Sequence, residues 1–440
     1  MNSSPPQAYR GGLLSFREDP DKAGSDAYQY WEDGLMLVEG GLIRTLGSAS
    51  ELLGTLPPDT RVIDHRGKLI LPGFIDTHIH YPQTGVIGAY GAQLMDWLKQ
   101  YTFPAEQRFS DRQHAQQVAR FFLDELLRNG TTTALVFATV HPESVEALFS
   151  VAHARNMRMI CGKVMMDRNA PKGLTDSAKC SYDDSHALIE RWHGKGRQQY
   201  AVTPRFAITS TPEQLRLAGE LCREHPTVYM QTHLSENRKE IELVRELFPE
   251  RSDYLDVYDH YGLVHDRSVF AHGIHLSERE HIRLREAGAS VAFCPTSNLF
   301  LGSGLLDLKA LTHRGVATSI ATDVGAGTSF NLFRTLSEAY KICQLQGQSL
   351  SALKALYMAT LGNARCLHLE DKIGSLDPGK EADFTLISLR ATPLLDFRMS
   401  QCRTLEERLF ALMTLADDRA VQATYIAGQC LYQRSQRETP

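Results

Sequence analysis

The chain has 440 residues, of which 42% are hydrophobic and 22% are charged, and this composition excludes a mostly disordered, collagenous or coiled-coil protein. Its 47 Lys and Arg residues and 52 Asp and Glu residues give a net charge of −5, with no block of like charges that would bind a nucleic-acid backbone. The first residues lack the features of a secretion signal, and no window approaches about 18 uninterrupted apolar residues. The eight scattered cysteines form no CxxC motif, which favours reduced thiols. We therefore expect a cytoplasmic protein with neither a membrane nor a nucleic acid as its partner.

Short strands and tight turns are predicted at both ends of the chain. Residues 9–16 and 33–47 alternate apolar and polar positions, with Gly40-Gly41 as a hairpin turn. Residues 373–389 and 423–432 repeat the pattern, with Gly428 in the second turn. Residues 1–70 and 371–440 are therefore interpreted as two parts of one small β-sandwich module.

Between residues 71 and 370, short apolar segments alternate with polar helical stretches such as 111–128 and 278–287. The predicted strands are 71–80, 131–137, 157–166, 200–206, 228–234, 268–273, 290–295 and 316–323. Strands that are apolar on both faces indicate a parallel sheet covered by helices. Eight such units predict a (β/α)8 TIM barrel of the α/β class. An open doubly wound sheet is the alternative, but no GxGxxG motif follows an early strand.

The segment after the first barrel strand, residues 81–110, is longer than a usual strand-to-helix loop. It contains several aromatic residues, and loops of this length are often functional. We interpret it as a partly helical lid over the barrel mouth. A contact between subunits is the alternative, and the two roles are compatible.

Strand one ends in two histidines that project to the same side. His78 and His80 are two residues apart, and the carboxyl ends of barrel strands carry the chemistry of this fold. His233, His272 and Asp323 stand at the ends of later predicted strands. Each residue alone has an ordinary explanation, such as a packed histidine or a helix-capping aspartate. Together they predict one mononuclear site for zinc, iron or a similar metal.

Glu236 follows His233 by three residues. A carboxylate at this distance from a ligand can reach the water on the metal without binding the metal, and can carry protons. The alternative is a solvated or capping glutamate. Asp323 is expected to have two roles, because a carboxylate that contacts both metal and water can also accept the proton of the water.

These motifs resemble the amidohydrolase superfamily over nearly the whole chain. The resemblance rests on PGFIDTHIH, the separate His233 and His272, SIATD ending in Asp323, and PGKEADF near the second β segment. HLSEN with Glu236 is similar to the aminohydrolase branch, which deaminates purines, pyrimidines and triazines at one metal ion. Other branches use a carboxylated lysine at the fourth strand between two metals. The nearest lysine here, Lys163, lies in the third predicted strand, which disfavours a two-metal site.

Four strings narrow the resemblance to the guanine deaminase family: DTHIHYPQ, TPRFAITST, THLSEN and CPTSNLFLGSG. The resemblance implies one zinc per chain, with iron as an alternative, bound by His78, His80, His233 and Asp323. It implies catalytic roles for Glu236, His272 and Asp323. The implied substrate-binding residues are Gln83, Arg205, Phe206, His233, Glu236 and Asp323.

An arginine donor and a glutamine amide match the carbonyl oxygen and ring nitrogens of guanine, and Phe206 offers an apolar wall. The alternatives are that Arg205 pairs with a neighbouring acid and that Phe206 belongs to the core.

The resemblance therefore implies hydrolytic deamination of guanine, a small purine base, to xanthine and ammonia by a zinc-activated water. The first alternative is an aminohydrolase acting on a related purine or triazine ring. The second is a barrel scaffold without catalysis, which would not need the proton carrier Glu236. The resemblance also implies a homodimer, although no stripe of residues in the sequence establishes one.

Overall fold

The structure is a computed structural model that describes residues 5–91 and 94–435. Its strands are β1 (Gln7–Phe16), β2 (Tyr28–Glu39), β3 (Leu42–Ser48), β4 (Arg61–Pro72), β5 (Phe74–His80), β6 (Thr131–Phe137), β7 (Arg158–Gly162), β8 (Val164–Met165), β9 (Gln199–Pro204), β10 (Tyr229–Leu234), β11 (Ser268–His272), β12 (Ser290–Phe293), β13 (Ala317–Ile320), β14 (Phe384–Ser388), β15 (Val421–Ile426) and β16 (Gln429–Gln433). Its α-helices are α1 (Pro20–Ala23), α2 (Ala49–Leu52), α3 (Leu94–Trp97), α4 (Phe103–Gln107), α5 (Arg112–Arg128), α6 (Pro142–Ala154), α7 (Ala178–Trp192), α8 (Pro212–Glu224), α9 (Arg238–Leu247), α10 (Tyr254–His260), α11 (Glu278–Ala287), α12 (Pro295–Phe300), α13 (Leu308–His313), α14 (Leu332–Leu345), α15 (Ala352–Tyr357), α16 (Asn363–Cys366), α17 (Pro393–Ser400) and α18 (Leu405–Leu415).

The central sheet is a parallel barrel. Its strand order is β13-β12-β11-β10-β9-β7-β6-β5, and the short β8 pairs with β9. The first and last strands meet through backbone hydrogen bonds: the Asp323 amide donates to the His78 carbonyl at 2.9 Å, and the His80 amide donates to the Val324 carbonyl at 2.7 Å. Every residue of β5, β6, β7, β11 and β12 is buried. The predicted (β/α)8 barrel is confirmed, because strands apolar on both faces require helices outside and a packed core inside.

Four barrel strands differ from their predicted bounds by one or two residues, and three differ more. The segment 71–80 divides at Gly73 between β4 of the terminal module and β5 of the barrel. A side chain at Gly73 would collide with Thr132. The backbone therefore passes close to β6 at the residue where the chain leaves one sheet for the other. The segment 157–166 divides at Lys163 into β7 and β8, and β13 ends at Ile320, three residues before Asp323.

The helices begin where capping residues predict. The Asp111 side chain accepts hydrogen bonds from the amides of the first turn of α5, as an N-cap does. Ser277 and Glu280 form a reciprocal capping box at the start of α11. Both helices therefore match the predicted segments 111–128 and 278–287 closely, and each covers one side of the barrel.

The two ends of the chain form one separate sheet, with strand order β16-β15-β14-β4-β1-β2-β3. Gly40 and Gly41 have φ angles of 61° and 80°, which suit the two-residue turn between β2 and β3. Tyr9, Phe384 and Tyr425 stack in the core of this sheet, with the rings of Phe384 and Tyr425 4.2 Å apart. The two halves of the predicted sandwich thus form one continuous sheet, whose buried side chains form a core of their own. The division of the chain at residues 70 and 370 stays a prediction.

A buried group of ionic side chains joins the barrel to the terminal sheet. Arg197, which precedes β9, pairs with Glu381 and Asp383, and Arg158 of β7 pairs with Glu381 at 2.5 Å. Arg197 and Asp383 are almost fully buried, at 8% and 2% side-chain exposure. Each charge in this group therefore depends on its partners for solvation.

Replacing Arg197 by Met is expected to lower the free energy of unfolding by about 3–5 kcal/mol, because Asp383 and Glu381 lose a shared buried cation. Urea unfolding followed by circular dichroism measures the change. The control is Arg216→Met, since Arg216 forms an exposed pair with Glu213 whose loss is expected to cost about 1 kcal/mol or less. Equal effects of the two substitutions would contradict the role given to the buried group.

The described part of the segment 81–110, which leaves out residues 92 and 93, lies over the mouth of the barrel. It contains 3₁₀ turns at Tyr81–Val86 and Arg108–Ser110, α3, a π-helical turn and α4. Leu94, Trp97 and Leu98 line the cavity at the carboxyl ends of the strands. This arrangement agrees with the interpretation of a partly helical cover.

Among the described residues, none of the helices combines the length and the hydropathy required to span a bilayer.

Candidate active site

Four side chains from the carboxyl end of the barrel bring their ligand atoms together. The Nε2 atoms of His78 and His80 are 3.2 Å apart, because alternate residues of β5 point to the same side. The Nε2 atom of His233, from β10, lies 3.3 Å from that of His80. The Oδ1 atom of Asp323 lies 3.2 Å from His78 Nε2 and 3.4 Å from His80 Nε2. The ligand atoms of His78, His80 and His233 lie within 4.8 Å of one another, as do those of His78, Asp323 and His272, so the predicted ligands fall in two groups that share His78.

The protonation of this cluster suits a divalent metal. Burial and the neighbouring imidazoles hold the pKa of His80 and of His233 well below the usual value, so both are neutral. Burial acts to raise the pKa of Asp323, but the hydrogen bond and charge of His78, together with His272 and Ser297, outweigh it and the net shift is downward. His233 Nδ1 lies 2.6 Å from the Arg205 carbonyl oxygen, which leaves Nε2 free to donate a lone pair. Three neutral imidazoles and one carboxylate form a donor set typical of zinc and similar metals.

The backbone holds two of the site residues in the left-handed region. His272 has a φ of 73° and Asp323 a φ of 50°, and a non-glycine residue adopts such a conformation only when its surroundings impose it. The amide of Gly327 donates to the Asp323 carbonyl at 2.6 Å, which fixes the turn after β13. This turn brings Asp323 back to the barrel rim although it lies beyond the strand.

Glu236 and His272 form the other side of the site. Glu236 Oε2 is 3.5 Å from His272 Nε2, which is itself 4.0 Å from Asp323 Oδ2. The Ser303 hydroxyl donates to Glu236 Oε1 at 2.8 Å, and His272 Nδ1 lies 2.9 Å from Asn298 Oδ1. Both pairs fix the orientation of the reactive side chains.

Burial raises the pKa of Glu236, which favours the protonated carboxyl group. Burial alone lowers the pKa of His272, but negative charge on Glu236 and Asp323 and the hydrogen bond to Asn298 together outweigh it and the net shift is upward, so Glu236 and His272 compete for a proton. The pair is therefore able to hold and release protons beside the metal cluster.

Glu240 supports the loop that carries Glu236, and the sequence analysis missed it. Its carboxylate accepts hydrogen bonds from the amides of Glu236 and Asn237, both at 3.0 Å, and from the Tyr254 hydroxyl at 2.7 Å. Burial, with the charge of Glu236, raises its pKa to about 7. The signal was available, because Asn237 and Glu240 have the spacing of a capping box at the start of α9.

The residues predicted to bind substrate line the cavity above the metal cluster. Gln83, Arg205 and Phe206 stand on its wall together with the helices of the segment 81–110. Arg205 Nη1 donates to both carboxylate oxygens of Glu106, at 2.8 and 3.0 Å, and Gln83 Nε2 donates to Glu106 Oε1 at 3.1 Å. The alternative that Arg205 pairs with an acid is thus realised, within the wall of the cavity.

Glu106 is fully buried and was not predicted as a site residue. No sequence signal separates it from an exposed glutamate of a short helix, because its partners are 23 and 99 positions away. Its charge is balanced by Arg205, and it holds Gln83 and Arg205 in a fixed relation to each other.

Lys163 does not join the metal cluster. It is fully buried, and its ammonium group pairs with Asp176 and lies 3.8 Å from Asp184 on the side of α7. This lysine is therefore engaged away from the four ligand atoms, which agrees with a site for one metal.

Comparisons with known proteins agree with this geometry. A model of the amidohydrolase family matches residues 69–431. The guanine deaminase of Escherichia coli strain K12 is 51% identical over 432 residues, which cover 98% of each protein. The solved structure of the E. coli guanine deaminase superposes with a TM-score of 0.96 at 52% identity, covering 98% of this chain and 100% of that one. The guanine deaminase from C. acetobutylicum, solved with bound guanine, superposes with a TM-score of 0.87 at 29% identity, covering 97% of this chain and 100% of that one.

Proposed function

The chain belongs to the amidohydrolase family, and from this premise we propose that it catalyses the hydrolytic deamination of guanine to xanthine and ammonia. The observation that carries the proposal is the position of the paired Gln83 and Arg205 on the wall of the cavity whose floor holds the cluster of histidines, Asp323 and Glu236. The residues that would bind a purine and those that would bind a metal and carry protons therefore line the same cavity.

We assign the metal-binding role to His78, His80, His233 and Asp323, and we propose zinc, with iron as the alternative that the same ligands permit. The ion, when bound, lowers the pKa of a water molecule so that hydroxide is available at neutral pH. The buried, deprotonated donor set is the observation that supports this assignment.

The remaining site residues move protons and hold the reactants. Asp323 accepts the proton that the attacking water loses, and His272 Nε2, aimed between Glu236 and Asp323, holds that water by a hydrogen bond. Glu236 Oε2 donates a proton to a ring nitrogen of guanine, while Oε1 stays bonded to Ser303. Attack at the carbon that carries the exocyclic amine gives a tetrahedral intermediate. Asp323 then passes its proton to the amino group, the carbon–nitrogen bond breaks to release ammonia, and the proton of the new hydroxyl group returns to Glu236 as the carbonyl of xanthine forms.

Substrate recognition is assigned to Gln83, Arg205 and Phe206. The guanidinium group supplies donors for the carbonyl oxygen of guanine, and the amide of Gln83 supplies a donor and an acceptor for a neighbouring edge. Glu106 keeps both side chains in place through its hydrogen bonds to them. Phe206, 5% exposed, covers one face of the base.

The direct test is turnover. Purified, metal-replete enzyme is incubated with guanine, and xanthine and ammonia are quantified together, with one ammonia expected for each xanthine. A parallel panel of 8-oxoguanine, adenosine derivatives and a triazine compares kcat/KM among rings. A higher kcat/KM for another ring would replace guanine as the substrate, and the absence of turnover on all rings would indicate a scaffold.

Replacing Arg205 by Ala is expected to lower kcat/KM for guanine by about 10- to 150-fold, mainly through KM, because a hydrogen bond to a charged group contributes about 1.5–3 kcal/mol. Steady-state kinetics measures the effect. The control is Arg314→Ala, which removes the exposed partner of Glu278, and neither of these two residues lines the cavity. An unchanged KM in Arg205→Ala would show that Arg205 has a structural role and does not bind guanine.

Loss of Arg205 also leaves Glu106 buried without its cation, which destabilises the fold. The double substitution Arg205→Ala with Glu106→Gln separates the two effects. It is expected to recover the unfolding midpoint while kcat/KM stays low. Recovery of kcat/KM together with stability would contradict a role of Arg205 in binding guanine.

We also propose a cytoplasmic location, which the scattered free cysteines favour, and a homodimer, which rests on the family resemblance. Sedimentation velocity at micromolar protein concentration tests the assembly, and a single species with the mass of one chain would contradict the dimer.

A further inference from the structure

A second cluster of metal-ligating side chains lies outside the active site, between α7 and the end of α8. It consists of His186, Glu224 and His225, whose ligand atoms all lie within 4.8 Å of one another. We propose that these three residues form an accessory site for one zinc ion or a similar divalent transition metal.

The cluster is built from two adjacent helices. His186 lies on α7, Glu224 is the last residue of α8, and His225 caps that helix. The imidazole rings of His186 and His225 are 5.2 Å apart with their planes at 64°. Two nitrogen donors and one carboxylate therefore converge from three side chains on two elements.

His225 offers a donor atom that lacks a partner. Its Nε2 is buried and makes no hydrogen bond among the described residues. Such an atom loses the free energy of solvation without recovering it, so a bound ion at this point would satisfy it. The nearby His193 is different, because its ring is bonded to Thr227 and to the amide of Tyr200.

Glu224 is oriented as a metal-binding carboxylate usually is. The Tyr182 hydroxyl, one turn before His186 on α7, donates to Glu224 Oε2 at 2.6 Å. An outer partner that fixes a ligating carboxylate is a regular feature of metal sites.

The donor set selects the class of ion. Imidazole nitrogen favours zinc, copper or nickel over magnesium and calcium, which prefer oxygen. Zinc lies about 2.0–2.1 Å from nitrogen, so tetrahedral donors stand about 3.3 Å apart. Glu224 is exposed and both histidines are partly exposed, so their side chains can rotate to close a separation of 4.8 Å or less. Three protein ligands leave one position for water.

The accessory site is remote from the catalytic one. His225 precedes β10, whereas His233 stands near the other end of that strand, and the stretch from Tyr229 to His233 alone spans about 13 Å. An ion at this end of the barrel would link α7 to α8 and stabilise their packing. It would leave the chemistry unchanged, so the inference does not depend on the proposed activity.

The test uses the holoenzyme with its active site already loaded. Equilibrium dialysis against micromolar zinc, followed by elemental analysis, is expected to find two zinc ions per chain, with a rise in the thermal unfolding midpoint as the second binds. The double substitution His186→Ala with His225→Ala is expected to bind one zinc and to retain wild-type kcat for guanine. The control His313→Ala removes an exposed histidine elsewhere and is expected to bind two.

Two further variants preserve the fold while weakening the site. Tyr182→Phe removes only the outer hydrogen bond and is expected to lower zinc affinity about 10- to 100-fold. Glu224→Gln keeps an acceptor for Tyr182 but removes the charge, and is expected to lower the affinity as well. A wild-type protein that binds a single zinc under these conditions would overturn the proposal, as would a second zinc retained by the double variant.

Discussion

Replacing Glu236 by Gln is expected to lower kcat for guanine about 10²- to 10⁴-fold while leaving the metal content unchanged. The amide keeps an oxygen for the Ser303 hydroxyl, so the loop geometry is preserved, but it has no acidic proton to transfer. Glu236 also stands outside the four converging ligand atoms, so metal binding is not expected to change. Xanthine formation and elemental analysis of the same preparation measure the two quantities.

The control for this substitution is Glu246→Gln, which changes an exposed glutamate of α9 on the same stretch of chain. It is expected to keep the wild-type kcat. A near-normal rate in Glu236→Gln would remove Glu236 as the proton carrier and direct attention to His272. A loss of metal in that variant would instead make Glu236 a ligand.

Replacing His78 or His80 by Ala is expected to reduce the metal content well below one ion per chain and to lower turnover at least as far as Glu236→Gln. Each substitution removes one of four donors and leaves an apolar gap beside a buried carboxylate, Asp323. Elemental analysis after dialysis measures the metal, and ammonia release measures turnover.

The control His153→Ala removes an exposed histidine of α6 and is expected to change neither quantity. A chelator that strips the wild-type protein is expected to abolish turnover, and restoration by zinc or by iron distinguishes the two metals. Full metal content in both His78→Ala and His80→Ala would contradict the assigned ligand set.

The parts of the site that the sequence predicted are those governed by local periodicity. Alternation along β5 placed His78 and His80 on one side, and the rule that barrel chemistry lies at the carboxyl strand ends placed His233 and His272 beside them. Asp323 was assigned to the correct strand region, but its backbone conformation was not predicted. Its left-handed turn three residues beyond β13 depends on hydrogen bonds to β5, which no local pattern encodes.

The wall of the substrate cavity was predicted less completely. Gln83, Arg205 and Phe206 were found through short strings, but the acid that joins Gln83 to Arg205 was not. Glu106 is recognisable only when the segment 81–110 is folded over the barrel, because its partners lie far away along the chain. The same limit applies to the split at Gly73, where the close approach to Thr132 leaves no room for a side chain and becomes visible only in the folded chain.

The pair of backbone hydrogen bonds between β5 and the segment that follows β13 has a consequence for biosynthesis. His78 and Asp323 are 323 − 78 = 245 positions apart, yet each lies directly at the seam that joins the first barrel strand to the last. A nascent chain whose last barrel strand has not been synthesised lacks Asp323. Its barrel is also still open, so the other three assigned ligands are not held in position. We therefore expect the proposed ion to bind tightly only after the last strand has joined the barrel, because the carboxylate of Asp323 is the last of the four assigned ligands to be synthesised.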